Sequence, residues 1–233
     1  MKSKLYILFF AGISILFFSC KTAGKLYEKG NYDEAVELAA KKLQKDPNDG
    51  KLLDIIQHSY QYAVNDHEGR IRTNAESNNE LKWEWMYNEY ASLQKMYEAI
   101  YRVPSVFNIV KPLDYSSYLV TYSEKAGDIR YDRGITFMQR YDKKSYQNAY
   151  CEFQAALGFK PGNRDAIQKM NEAYDYAVTN VVILPMQQYG GYVYSSYTVG
   201  GNNFDDQLIR SLQFGSGNEF VKFYSAGMPE ASK

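Results

Sequence analysis

Apolar residues recur along this chain at helical spacing over most of its length and change to a strand-like pattern near residue 180. In residues 30–49 (GNYDEAVELAAKKLQKDPND), Ala35, Leu38, Ala39 and Leu43 follow i, i+3, i+4, i+8 steps, which places them on one helical face. Pro47 ends that helix and turns the chain. Residues 144–163 (KSYQNAYCEFQAALGFKPGN) do the same with Ala149, Phe153, Ala156 and Leu157 before Pro161. The two segments align without gaps at an offset of 114, setting Tyr32 on Tyr146, Ala35 on Ala149, Leu43 on Leu157 and Pro47 on Pro161. The match resumes at the same offset, SYQYAVND (59–66) on AYDYAVTN (173–180), so a helical unit is duplicated. The small Ala35 and Ala149 let a neighbouring helix approach closely, and Tyr60 and Tyr174 fall on the helix after each proline.

Between the copies the pattern predicts more helix. Residues 79–101 carry a stripe of Trp83, Met86, Tyr90, Leu93, Tyr97 and Ile100, in alternating steps of 3 and 4. Trp85 stands about 200° round from Trp83, off that stripe, either against a second neighbour or as an exposed anchor for a partner. Pro104 and Pro112 break the next connection, and a helix is expected over about 115–139 with Tyr118, Tyr122, Ile129 and Arg133 among its facing positions. Cys151, inside the second copy, is expected to be a small buried hydrophobe.

Past residue 180 the chain changes character. The β-branched run Val181, Val182, Ile183, Leu184 ends at Pro185 and predicts a buried strand. A Tyr/Gly/Ser loop follows, with Tyr189, Tyr192, Tyr194 and Tyr197. Asn203 is placed to cap a helix over FDDQLIRSLQ, with Gly215 and Gly217 ending it, and EFVKFYS (219–225) alternates like a second strand. The fold class expected is therefore mainly α, helical repeats followed by a small strand–loop–helix–strand unit. So few strands make a poor independent core. Either the unit packs on the repeat helices, or another chain completes its sheet, or the chain ends inside the domain.

The first residues form a processing segment. Lys2 and Lys4 precede an apolar stretch at 5–18, too short to cross a bilayer but of signal-peptide length. Small Ser19 is followed at once by Cys20. This resembles a bacterial lipoprotein signal, in which Cys20 is acylated and becomes the first mature residue, with Phe17 where the usual motif has Leu. The only other cysteine is Cys151, so no disulfide framework exists.

Charge is balanced, with 27 basic and 27 acidic residues, which argues against nucleic acid as a partner. The 23 tyrosines suit half-buried helix faces and wet interfaces. Candidate chemistry is sparse. His58 and His67 are nine apart, which is no helical metal pair, and the VGGNN loop lacks the Lys and Ser/Thr of a nucleotide loop. Asp205 and Asp206 are adjacent on a helix and cannot face one another. No enzyme, cofactor or metal site is expected.

Gly30, Tyr32, Ala35 and Pro47, and again Tyr146, Ala149, Phe153, Ala156 and Pro161, resemble the tetratricopeptide repeat. Gly134 departs from it, three residues too early, which predicts a longer turn near 142–145. The whole chain is similar to uncharacterised tetratricopeptide-repeat lipoproteins of the Bacteroidota, on NVVILPM, YVYSSY, NFDDQL and NEFVKFYS. That resemblance implies a family and a compartment but no activity. Surface-exposed lipoproteins of the Bacteroidota resemble one another in carrying acidic residues soon after the cysteine; residues 21–25 (KTAGK) have none, and that resemblance implies the periplasmic face of the outer membrane.

The organisation expected is a signal peptide (1–19), a first repeat (20–66), a helical insert (67–125), a second repeat (126–179) and a small α/β unit (180–233). The function expected is a lipid-anchored scaffold that binds another cell-envelope protein through a repeat groove or by strand addition. Its expected contact residues are Tyr60, Trp85, Tyr174, Tyr189, Tyr192, Tyr194 and Tyr197. The alternative is a glycan-binding lipoprotein using the Tyr-rich surface.

Overall fold

The computed structural model describes residues 22–184 and 201–226. The fold is mainly helical, closed by a small two-stranded parallel sheet near the C-terminus. The chain divides into two compact units between Lys125 and Ala126.

The first unit opens with a single short helix, α1 (Ala23–Glu28), whose N-terminus is capped by the Thr22 hydroxyl. Gly30, at φ +76, turns the chain into α2 (Tyr32–Leu43), which buries Ala35, Val36, Ala39, Ala40 and Leu43. Asp49 then caps α3 (Gly50–Glu76), its carboxylate accepting from the backbone N–H of Lys51 and Leu52. This helix runs unbroken through residue 66, so the stretch expected as a separate insert starts inside it.

A tight link returns the chain as α4 (Lys82–Tyr101), which buries Met86, Leu93, Met96 and Ile100. Of the expected stripe, Trp83 and Tyr90 lie half-buried against this core, and Tyr90 stacks on Tyr118 and Tyr122 at ring separations of 4.7 and 5.1 Å. Pro104 does not merely break the connection: it sits at the start of a short helix, α5 (Pro104–Val110), where its missing N–H is harmless. Lys111, in the left-handed region, ends that helix just before Pro112. A long helix, α6 (Ser116–Met138), comes next.

The second unit holds the second copy. Asp142 caps α7 (Lys143–Phe159), and Asn163 caps α8 (Arg164–Ala177). Asp49 and Asn163 are repeat equivalents, and so are the starts of α3 and α8. The core here is Ala149, Phe153 and Ala173, with Tyr131 and Ile135 of α6 packed against it. A Cβ at Gly134 would sit 2.5 Å from the Phe153 ring, so only glycine permits this approach of α6 to α7. Cys151 is exposed, against expectation. It stands about 200° from both Ala149 and Phe153, which turns it off their buried face.

At Val178 the backbone becomes extended and enters β1 (Thr179–Ile183). This strand alternates half-buried and exposed side chains and is not buried throughout; its one partner among the described residues is β2 (Val221–Ser225), in parallel register from Thr179↔Val221. The crossover carries α9 (Gly201–Ser216), which lays Ile209 inward and ties Gln213 Nε2 to the Phe223 carbonyl at 3.1 Å. Because α9 begins at Gly201, Asn203 lies within it and does not cap it; Gly215 is also helical, and Gly217, at φ +55, makes the exit. Lys143 Nζ donates to Thr179 Oγ1 at 2.7 Å, fastening the start of β1 to the start of α7. Among the described residues no helix is long and apolar enough to cross a membrane.

Candidate partner-binding site at Trp85

The link between α3 and α4 closes on its own side chains. Ser77 Oγ accepts from the Asn79 N–H, and Asn79 Oδ1 accepts from the Leu81 N–H at 2.8 Å. This short closure presses the end of α3 against the start of α4. Arg70, Thr73 and Asn74 on α3 are spaced i, i+3, i+4, as are Trp85, Asn88 and Glu89 on α4. Each set therefore shares one helix face. Together the six line a cleft of about 340 Å³. Trp85 is 37% exposed there.

Beneath the cleft lies a charged cluster joining three helices. The His67 side chain on α3 is 4% exposed, with Nε2 3.0 Å from Asp33 Oδ2 of α2 and Nδ1 2.6 Å from Glu89 Oε2 of α4. Arg70 Nε donates to the same Glu89 oxygen at 2.8 Å. Burial opposes charge on His67, but its hydrogen bonds to Asp33 and Glu89 outweigh that and raise its pKa. The bond from His67 also holds the Asp33 carboxyl below the ordinary range, against burial. The two carboxylates take opposite ring nitrogens and so do not converge on one point. Among the described residues no group of three or more His, Cys, Asp or Glu is arranged to hold a metal ion.

The residues expected to contact a partner divide sharply. Tyr60 is a core residue, and its expected role at a partner surface is withdrawn: only 9% of it is exposed, and its hydroxyl accepts from the Leu113 N–H at 3.2 Å. Burial raises its pKa. Tyr174, its repeat equivalent, is half-buried; its ring packs against Tyr150 and Phe220, and its hydroxyl donates to the Glu219 carbonyl. Both tyrosines serve packing, ring to core and hydroxyl to backbone. Trp85 alone of the described set stands at an open cleft. Cys20, Tyr189, Tyr192, Tyr194 and Tyr197 lie outside the described residues.

Arg70, Asn74, Asn88 and Glu89 escaped sequence reasoning, which weighed His67 only as a metal ligand. The i, i+3, i+4 spacing of Trp85, Asn88 and Glu89 was available as a signal. The pairing of that face with α3 was not, because it depends on the tertiary turn at 77–81. Comparison with protein-family models, curated proteins and solved structures finds no match to this chain.

Proposed function

We propose that this chain is a lipid-anchored interaction scaffold of the outer membrane, facing the periplasm, which holds another cell-envelope protein at the Trp85 cleft. The observation that carries this reading is an exposed tryptophan beside an arginine, over a charged cluster that locks the three supporting helices. Tryptophan and arginine are the side chains that most often dominate interface energies. Asn74 and Asn88, one from each wall, offer paired amide donors and acceptors that match a peptide main chain. The reading assigns no catalytic step and no cofactor.

Acylation at Cys20 would leave almost no tether, because α1 begins at Ala23. The helical unit would then be held close to the bilayer. A second contact route is strand addition. β1 and β2 have only each other as hydrogen-bonded neighbours among the described residues, and Val182 and Leu184 are exposed beside that open edge. The glycan alternative draws support from a cleft of about 440 Å³ whose lining includes Tyr141, Tyr146 and Tyr176. A glycan array read with wild type and Tyr176→Ala tests it.

The test of the main reading is capture of tagged chain from gently solubilised membranes, wild type against Trp85→Ala. The expected result is a partner enriched by wild type and reduced by roughly 30-fold with the variant, the equivalent of about 2 kcal/mol for an anchor residue. Equal recovery by both would reject the cleft as the docking surface.

A further inference from the structure

The contacts of one nitrogen atom cannot all hold at once. His67 Nδ1 lies 2.6 Å from Glu89 Oε2 and 2.8 Å from Arg70 Nη2. Glu89 offers only acceptors and Arg70 only donors. With a proton on Nδ1, the contact to Glu89 is a charge-assisted hydrogen bond and the contact to Arg70 sets two donors against each other. Without that proton the order inverts: Arg70 donates to Nδ1, and two lone pairs face each other toward Glu89. Nε2 keeps its proton in both states, because Asp33 Oδ2 stands 3.0 Å away as its acceptor.

We infer that His67 is a proton-operated switch under the Trp85 cleft, holding Glu89 inward when charged and exchanging it for Arg70 when neutral. The charged groups facing His67 are Asp33 from α2, Glu89 from α4 and Arg70 from α3 itself; Lys95 of α4 acts on Asp33. Glu89 and Arg70 both line the cleft, and Arg70 is half exposed. Arg70 is also a wall of a second hollow of about 310 Å³, where Asp33, Glu34 and Asp66 gather. Losing the proton therefore costs Glu89 its bond to His67 and leaves the carboxylate to the Arg70 Nε pair alone, at 2.8 Å, while Arg70 Nη2 turns inward to Nδ1; Glu89 is loosened toward Trp85 as the guanidinium is drawn in. The surface offered to a partner changes charge without any helix moving. Trp85 and Glu89 are four residues apart on one face, so the indole reports the change directly.

This inference rests on the cleft being the docking surface, but its test needs no partner. The probe is the proton itself. The indole N–H resonance of Trp85, assigned with Trp83→Phe, and the His67 ring resonances, assigned with His58→Gln, are tracked in the full chain from about pH 5 to about pH 9. Both are expected to move with one shared midpoint above the ordinary histidine value. His67→Gln is expected to abolish the Trp85 step, and Glu89→Gln to lower the His67 midpoint and shrink that step. A Trp85 resonance that stays flat while His67 titrates overturns the switch, as does a step that survives His67→Gln. A His67 that keeps one protonation state throughout overturns it too. Failure of partner capture with an intact titration would reject the docking surface and leave the switch standing.

Discussion

At the residue scale, the members of the His67 cluster make opposite demands on pH. His67 gains partners on folding, so its folded pKa lies above its ordinary value of 6.5. Its contribution is fully present below pH 6.5 and is lost as pH rises through the folded value. Asp33 runs the other way: its contribution is present above pH 3.8 and fades as pH falls through its lowered value. The difference in urea midpoint between wild type and His67→Gln is therefore expected to be largest between pH 3.8 and 6.5 and to shrink in alkali. A difference that grows above neutrality would contradict this assignment.

Glu152 is the counterpart in the second unit. Burial raises its pKa, but hydrogen bonds from Arg133 at 2.9 Å and Arg130 at 2.9 Å outweigh that and hold it low. Replacing it with alanine removes the carboxylate these guanidiniums share. The expected loss is about 3 kcal/mol, the low end for a broken buried pair because the arginines are partly exposed. Urea unfolding of Glu152→Ala against wild type measures it. Neither cluster was legible in the sequence, since His67, Asp33 and Glu89 lie on three helices that only packing brings together.

At the element scale, the duplication and the strand that follows its second copy were legible, and the unbroken run of α3 past residue 66 was not. Helices α3 and α8 start at equivalent positions behind equivalent caps, and Ser59 and Ala63 are buried like Ala173 and Ala177. After the shared Tyr-Ala-Val, α3 continues to Glu76, where Ile71 still finds core. The second copy instead runs into Val181, Val182 and Ile183, β-branched residues that favour an extended chain. The same tripeptide thus leads into helix or strand according to the residues on its C-terminal side.

The early Gly134 also has its reason here, as the gap into which the Phe153 ring fits. Gly134→Val is expected to cost about 1–3 kcal/mol by overpacking. The Tyr141 turn, at φ +55, then delivers Asp142 to its capping position. Asp142→Ala is expected to cost about 1 kcal/mol, since it frees the Ser145 N–H at the start of α7. Thermal unfolding monitored by circular dichroism checks both. A stable Gly134→Val protein would mean that α6 and α7 do not approach as described.

At the scale of the whole molecule, the proposed anchor at Cys20 would hold a helical unit that carries an open cleft at Trp85. The apolar stripes predicted which faces turn inward, and Met86, Leu93 and Ile100 lie where that pattern placed them. The stripes could not say which off-stripe residue meets solvent and which meets a neighbour. Trp85 meets both: it is 37% exposed and shares its cleft with Arg70, Thr73 and Asn74 of the neighbouring α3. Intact-mass analysis of the membrane-extracted protein is expected to find residues 1–19 removed and Cys20 acylated. Retention of that segment would remove the anchor from the account.

The most direct test of the central claim is photo-crosslinking in the native cell. A photoreactive amino acid replaces Trp85 in one strain and Lys45, an exposed residue beyond the end of α2, in another. One discrete crosslinked protein is expected from position 85 and none of that size from position 45. No adduct at position 85, or the same adduct from both positions, would contradict the claim.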